Sequence, residues 1–170
     1  MDKLVTGLFY ISHKALRYVK MSSIMYHSES PIDEITDNIY LGDFRAADDI
    51  NILRDNGITH IINCAKDMPE VYPGEFEYLS LNLKDTADED LTEAISVSMQ
   101  FIKNAGKVFV HCKQGVSRSA SIVIAYLIKN QNMKYDSALT LVQMKRFCVN
   151  PNPGFESQLR KYEEICNIVK

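Results

Sequence analysis

The ten residues His111–Ala120, HCKQGVSRSA, stand between a β-rich apolar run, KVFV, and a run with helical spacing, SIVIAYLI. A chain that leaves a buried strand and enters a buried helix within seven residues must turn sharply at the carboxyl edge of a sheet. Gly115 supplies the place for that bend. A turn of this kind points successive backbone N–H groups from Lys113 to Arg118 inward, which makes a concave site for an anion. The first turn of the helix opening near Arg118 adds further donors and the positive end of a helix dipole. Lys113, Gln114, Gly115, Val116, Ser117 and Arg118 are therefore the expected phosphate-binding residues. Cys112 stands at the base of the nest, where the same donors and the arginine favour thiolate over thiol. A free cysteine titrates near ~8.5, and such surroundings bring it to roughly 3.5–7.5. Arg118 can hold two phosphate oxygens with its planar, permanently charged fork and keep them as the phosphorus becomes trigonal bipyramidal.

The rest of the chain explains how such a turn is framed. From Pro31 onward, strand-like and helix-like patterns alternate. NIYLG, ITHIIN, EFEYLSLNL and KVFVH read as strands. DFRAADDINILRDNG reads as one helix with Asp43 as N-cap, Ala46, Ile50 and Leu53 facing inward, and Gly57 as the stop. A second helix covers Leu91 to about Gly106. Three more run from Arg118 to about Asn130, Tyr135 to about Arg146, and Pro153 to about Val169. This is an α/β domain: a central, mostly parallel twisted sheet of four to five strands flanked by helices, with the phosphate-binding loop between a strand and a helix. In open sheets of this kind ligands gather at the carboxyl ends of the strands, where His111 and Cys112 sit.

Residues 1–30 differ in character. They carry a balance of +2 against −5 on residues 31–170, and Leu4, Leu8, Ile11, Ala15 and Val19 recur at helical spacing. They are read as an N-terminal extension, a candidate amphipathic helix followed by the linker MSSIMYHSESP, with the main domain over residues 31–170. A chain of 170 residues suits one such domain. The formal net charge of −3 disfavours a nucleic-acid partner. No apolar run reaches the roughly 20 residues that span a bilayer, and the ends fit neither a secretory signal nor a lipid anchor. The four cysteines form no CxxC pair, which suits free thiols in a reducing compartment. The expectation is a cytoplasmic protein, with the nucleus also open to it.

HCKQGVSRSA fits the HCxxGxxR signature, and the chain resembles the cysteine-dependent protein tyrosine phosphatase superfamily, in particular its small (atypical) dual-specificity phosphatases. ITDNIYLGD, LNLKDTADEDL, SRSASIVIAYLI and RFCVNPNPGFESQL resemble segments of those enzymes in the same order, from roughly Ile32 to Ile168. The resemblance implies Cys112 as nucleophile, Arg118 as phosphate clamp and Ser119 as the hydroxyl assisting departure of the sulfur. It implies His111 as a support for thiolate ionisation and Asn152 as a brace for the phosphate loop. Asp85, just after the strand EYLSLNL, is the expected general acid and then base, with Asp88 and then Asp90 as fallbacks. No cofactor or metal is expected. His13, His27, His60 and His111 make no ligand-like pair with one another or with the cysteines. The implied substrate is a phosphorylated protein, such as a kinase or another signalling protein, carrying phosphotyrosine and phosphoserine or phosphothreonine.

Other readings of the same residues remain open at this point. The chemistry could act on a phosphoinositide, a phosphorylated glycan or an RNA 5′-phosphate, although Val116 and Ser117 add no charge to the loop for such a substrate. The loop could also serve a binding module without turnover. Cys64 ends a strand on the same edge as Cys112, so either a redox disulfide between them or an inert core thiol would fit, the core thiol being the simpler reading.

Overall fold

A computed structural model describes residues 28–168, so the candidate helix at the start of the chain lies outside the described residues. Five strands form one sheet: β1 Ile32–Thr36, β2 Ile39–Gly42, β3 His60–Ala65, β4 Glu77–Leu83 and β5 Val108–His111. Their order is β1-β2-β5-β3-β4, and every pairing is parallel except the β1–β2 hairpin. The central place of β5 follows from its composition. All four residues of VFVH are buried, as a strand covered on both faces requires.

The twofold alternation of strand side chains divides the apolar residues between two layers. Ile39 and Leu41 of β2 and Val108 and Val110 of β5 join the large core formed with the helices α3 Thr92–Lys103, α4 Arg118–Asn130, α5 Tyr135–Lys145 and α6 Pro153–Ile168. Tyr40, Ile61 and Phe109 face the other way and pack with Ala46, Ala47 and Leu53 of two short helices, α1 Phe44–Ala47 and α2 Ile50–Asp55. Helix α4 lies at the centre of the larger layer, with eleven of its thirteen residues buried. The helix that carries Arg118 and Ser119 is thus one of the most firmly held parts of the molecule.

Two sequence expectations need correction. The stretch after β2 is two helices, not one. Asp48 ends α1, and Asp49 starts α2 by accepting hydrogen bonds from the backbone N–H groups of Asn51 and Ile52. Adjacent aspartates compete with helix continuation by bonding to nearby backbone, and here that local bond starts a new helix. The segment IDEIT, not read as a strand, is β1. It is an antiparallel edge strand, mixed in polarity because one side is open to solvent. Ser28 and Ser30, from the segment read as extension, already touch the domain: Ser28 is buried and its carbonyl accepts from Arg45.

Candidate active site

The turn after β5 is built from the outside. Five consecutive carbonyls of the loop are occupied by donors behind it. The Lys113 carbonyl accepts from the Phe44 N–H at 3.4 Å, that of Val116 from Asn150 at 2.9 Å, and that of Ser117 from Ser121 at 2.9 Å. Between them, the carbonyls of Gln114 and Gly115 accept from the Arg146 side chain at 3.1 and 3.0 Å. With these carbonyls turned outward, the N–H groups of the same peptide units face the other way. Among the described residues none of the N–H groups from Lys113 to Arg118 is spent on a backbone acceptor. That is the arrangement of an anion nest. Gly115 adopts φ +66, the left-handed conformation that a residue with a Cβ rarely takes.

Cys112 is buried at the mouth of β5, and the Ser119 hydroxyl donates to its sulfur at 3.2 Å. Helix α4 makes this contact possible, because Ser119 is its second residue and faces back toward the strand end. His111 is buried and stacked on Phe109, with ring centroids 5.3 Å apart. Burial lowers its pKa to about 4, so the imidazole is neutral over the physiological range. Its Nδ1 has no hydrogen-bond partner among the described residues. The thiol of Cys64 is buried, and desolvation, with Cys112 nearby, pushes its pKa well above the ordinary value. All four cysteines are free, Cys64 included.

Arg118 runs along the inner wall of the site. Its Nη1 donates to the Leu83 carbonyl at 3.2 Å and lies 3.7 Å from the Asp67 carboxylate, and its Nε lies 3.7 Å from that of Asp85. That Nε is buried and has no hydrogen-bond partner among the described residues, which leaves a charged donor free for a ligand. Asp85 follows β4 and is exposed, and its carboxylate accepts from the Ser117 hydroxyl at 2.7 Å and from the Asn152 amide at 3.0 Å. Asn152 also donates its backbone N–H to Ser117 and accepts from the N–H of Phe155, which fixes the start of α6. Ser117, Asp85 and Asn152 thus tie the loop after β4 to the loop after β5.

The fallback carboxylates are engaged elsewhere. Asp88 lies below the usual carboxylate range because of a hydrogen bond with Thr86, and Asp90 because of one with Thr92, whose N–H it accepts at the start of α3. Among the described residues, no hydrogen bond or ion pair joins either to Cys112, Arg118 or Ser117. Lys113 and Gln114 are exposed at the rim of the site. Among the described residues no group of three or more His, Cys, Asp or Glu side chains gathers as a metal site.

Sequence reasoning missed three supports. Arg146 is fully buried behind the loop and pairs with Asp33 at 2.8 Å and Asp43 at 3.1 Å. Asp43, read only as a helix cap, also pairs with Arg45 at 2.7 Å. Gly154 lies against the Ala87 backbone so closely that a Cβ there would collide with it. The first of these continues the spacing of the buried Tyr135, Ala138 and Val142, a sign of burial that left its distant acceptors unnamed.

The family profile described as "Dual specificity phosphatase, catalytic domain" matches residues 39–165. The chain is 36% identical over 137 residues to Dual specificity protein phosphatase 1B of Arabidopsis thaliana, covering 78% of this chain and 82% of that protein. It is 38% identical over 138 residues to the Probable rhodanese domain-containing dual specificity protein phosphatase of Dictyostelium discoideum. The chain spans 29% of the length of that relative, and between 15% and 29% of four such longer relatives. Among solved structures, the human tyrosine phosphatase-like serine/threonine/tyrosine-interacting protein superposes with TM-score 0.73 at 36% identity, over 79% of this chain and 96% of that one. On the profile match, which covers most of the chain, and on the nest, sulfur and arginine brought together after β5, this chain belongs to the dual-specificity phosphatase catalytic-domain family.

Proposed function

We propose that the protein hydrolyses phosphate esters on protein side chains, phosphotyrosine together with phosphoserine or phosphothreonine, through a phosphocysteine on Cys112. The observation that carries the reading is the convergence of Cys112 Sγ, the Ser119 hydroxyl 3.2 Å from it, and the Arg118 Nε 3.7 Å from the Asp85 carboxylate. Arg118 and the loop N–H groups of Lys113 to Ser117 hold the phosphate oxygens through ground and transition states. The sulfur of Cys112 attacks phosphorus while the bond to the leaving oxygen breaks, and Asp85 gives that oxygen a proton. The carboxylate so formed then takes a proton from a water that attacks the phosphocysteine. Sulfur departs as thiolate toward the Ser119 hydroxyl, and inorganic phosphate is released. His111, kept neutral by burial, supports the loop and takes no part in proton transfer. Asn152 holds Asp85 and Ser117 in register.

In this reading residues 31–170 are the catalytic domain, residues 1–30 are an extension to it, and the substrate is a phosphorylated signalling protein, a kinase among the candidates. A cytoplasmic location, with the nucleus also open, fits such a substrate. A second reading draws support from the name of the human relative, called tyrosine phosphatase-like and interacting: a domain that binds phosphorylated residues without turning them over. The two separate in one experiment. A peptide phosphorylated on both Thr and Tyr is incubated with the protein in EDTA beside Cys112→Ser, and each phosphate is followed by mass spectrometry. Loss of both phosphates, abolished in Cys112→Ser, is the expected outcome. Retention of both phosphates by a peptide that nevertheless binds would establish the binding module instead.

A further inference from the structure

We infer that Arg146 is a positioning residue of the phosphate site: it aims the N–H groups of Gly115 and Val116 into the nest by gripping two carbonyls from behind. The inference rests on the phosphatase reading for its kinetic consequence, and on geometry alone for the orientation of the donors. The Arg146 side chain is fully buried and lies 31 and 32 residues along the chain from the loop carbonyls it holds. Each of its five guanidinium N–H groups has an acceptor. Nε donates to the Gly115 carbonyl at 3.0 Å, and Nη2 to the Gln114 carbonyl at 3.1 Å and to Asp43 at 3.1 Å. Nη1 donates to the Ser30 carbonyl at 2.9 Å and to Asp33 at 2.8 Å.

Peptide planarity turns this grip into an orientation. In a trans peptide unit the carbonyl and the N–H point in opposite directions, and the described residues contain no cis bond. The Gln114 carbonyl shares its unit with the Gly115 N–H, and the Gly115 carbonyl shares its unit with the Val116 N–H. Holding both carbonyls outward therefore directs both N–H groups inward, where a phosphate would meet them. The other loop carbonyls are held by backbone donors that any side chain could accompany. This pair depends on one side chain. The fit is also close in space, since a Cβ on Gly115 would lie 2.8 Å from Arg146 Nη2 and 2.5 Å from the Gly42 carbonyl oxygen. Asp33 and Asp43 balance the buried charge, while the bonds from Nε and Nη2 to the two loop carbonyls fix the fork against the site.

Lysine at this position keeps the charge that the two aspartates require, but has three donors and no fork. In Arg146→Lys the inhibition constant for inorganic phosphate is expected to weaken about tenfold, and kcat on a small aryl phosphate to fall about a hundredfold, the lower end of the scale for losing a preorganised donor. Asp33→Asn is the structural control. It alters the partly exposed edge of the same network and leaves the carbonyl grip in place, so its phosphate affinity and kcat should stay within about twofold of wild type even where its melting temperature drops. Arg146→Lys that folds and keeps phosphate affinity and kcat within about twofold overturns the inference. Should that variant fail to fold, titration of wild-type protein with inorganic phosphate decides the matter by NMR. The Gly115 and Val116 amide protons must move downfield on binding, and a titration that saturates without shifting either of them overturns the inference. Wild-type protein that binds phosphate through these amides but hydrolyses nothing would overturn the phosphatase reading and leave this inference supported. Wild-type protein that does not bind phosphate would overturn both.

Discussion

Asp85 is the residue whose role depends most on its neighbours. Its carboxylate is held by Ser117 and Asn152 and lies beside Arg118, so it is fixed at the rim where a leaving oxygen would emerge. Asp85→Asn preserves shape and the oxygen that accepts these bonds, but removes the transferable proton. The expected loss in kcat is roughly 10²–10⁴-fold. It should be larger for a phosphothreonine peptide, whose alkoxide leaves poorly, than for an activated aryl phosphate. Steady-state kinetics on the two substrates check this, and equal losses below about threefold would remove Asp85 from the role of acid. At this scale the residues proposed as nucleophile, clamp and assisting hydroxyl could be picked out together, because Cys112, Gly115, Arg118 and Ser119 lie in one short stretch whose spacing is itself the signal. Arg146 was not, because its acceptors Ser30, Asp33, Asp43, Gln114 and Gly115 are up to 116 residues away in the chain.

The elements that carry the site were legible wherever periodicity was strong. β5 and α4 read directly from KVFVH and SIVIAYLI, and their junction places Cys112 and Ser119 in contact. The division of the stretch after β2 into α1 and α2 was not legible. Two aspartates in a row are compatible with a helix by pattern, and the bonds that the Asp49 carboxylate accepts from the N–H groups of Asn51 and Ile52 decide against it. β1 escaped for another reason: an edge strand with one solvent-facing side shows no clean apolar alternation. Among the supports, the start of α6 has a testable consequence. Gly154 lets this helix approach the Ala87 backbone, in the same loop as Asp85, and a methyl group there has no room. Gly154→Ala should push the two apart, cost roughly 1–3 kcal/mol of stability and lower kcat several-fold by shifting Asp85. Urea unfolding and kcat measured together check it. Unchanged values of both would show that the contact does not hold the loop.

For the whole molecule, the layer that buries His111 makes stability depend on pH. The imidazole has its ordinary pKa of 6.5 when unfolded and is lowered to about 4 by burial in the fold. Below pH 6.5 the unfolded chain therefore takes up a proton that the folded chain refuses. The stability held above this pH is lost as pH falls toward 4, and the loss levels off below it. The sum is roughly 3 kcal/mol at the acid end. His111→Asn, which cannot titrate, should show a shallower fall over this interval. Urea midpoints at pH 7, 5.5 and 4 for both proteins isolate the difference, and parallel curves would contradict it. The overall sheet order, with β5 between β2 and β3, brings the ends of β4 and β5 to one edge and so joins Asp85 to the loop holding Cys112.

The central claim, covalent transfer through Cys112, is tested most directly by trapping the intermediate. Wild-type protein mixed with excess aryl phosphate is quenched in acid within its first turnovers, digested and sequenced by mass spectrometry. Phosphate on the sulfur of Cys112, absent from Cys112→Ser, is the expected result. Turnover with no phosphate on Cys112, or with phosphate on another residue that survives Cys112→Ser, would contradict it.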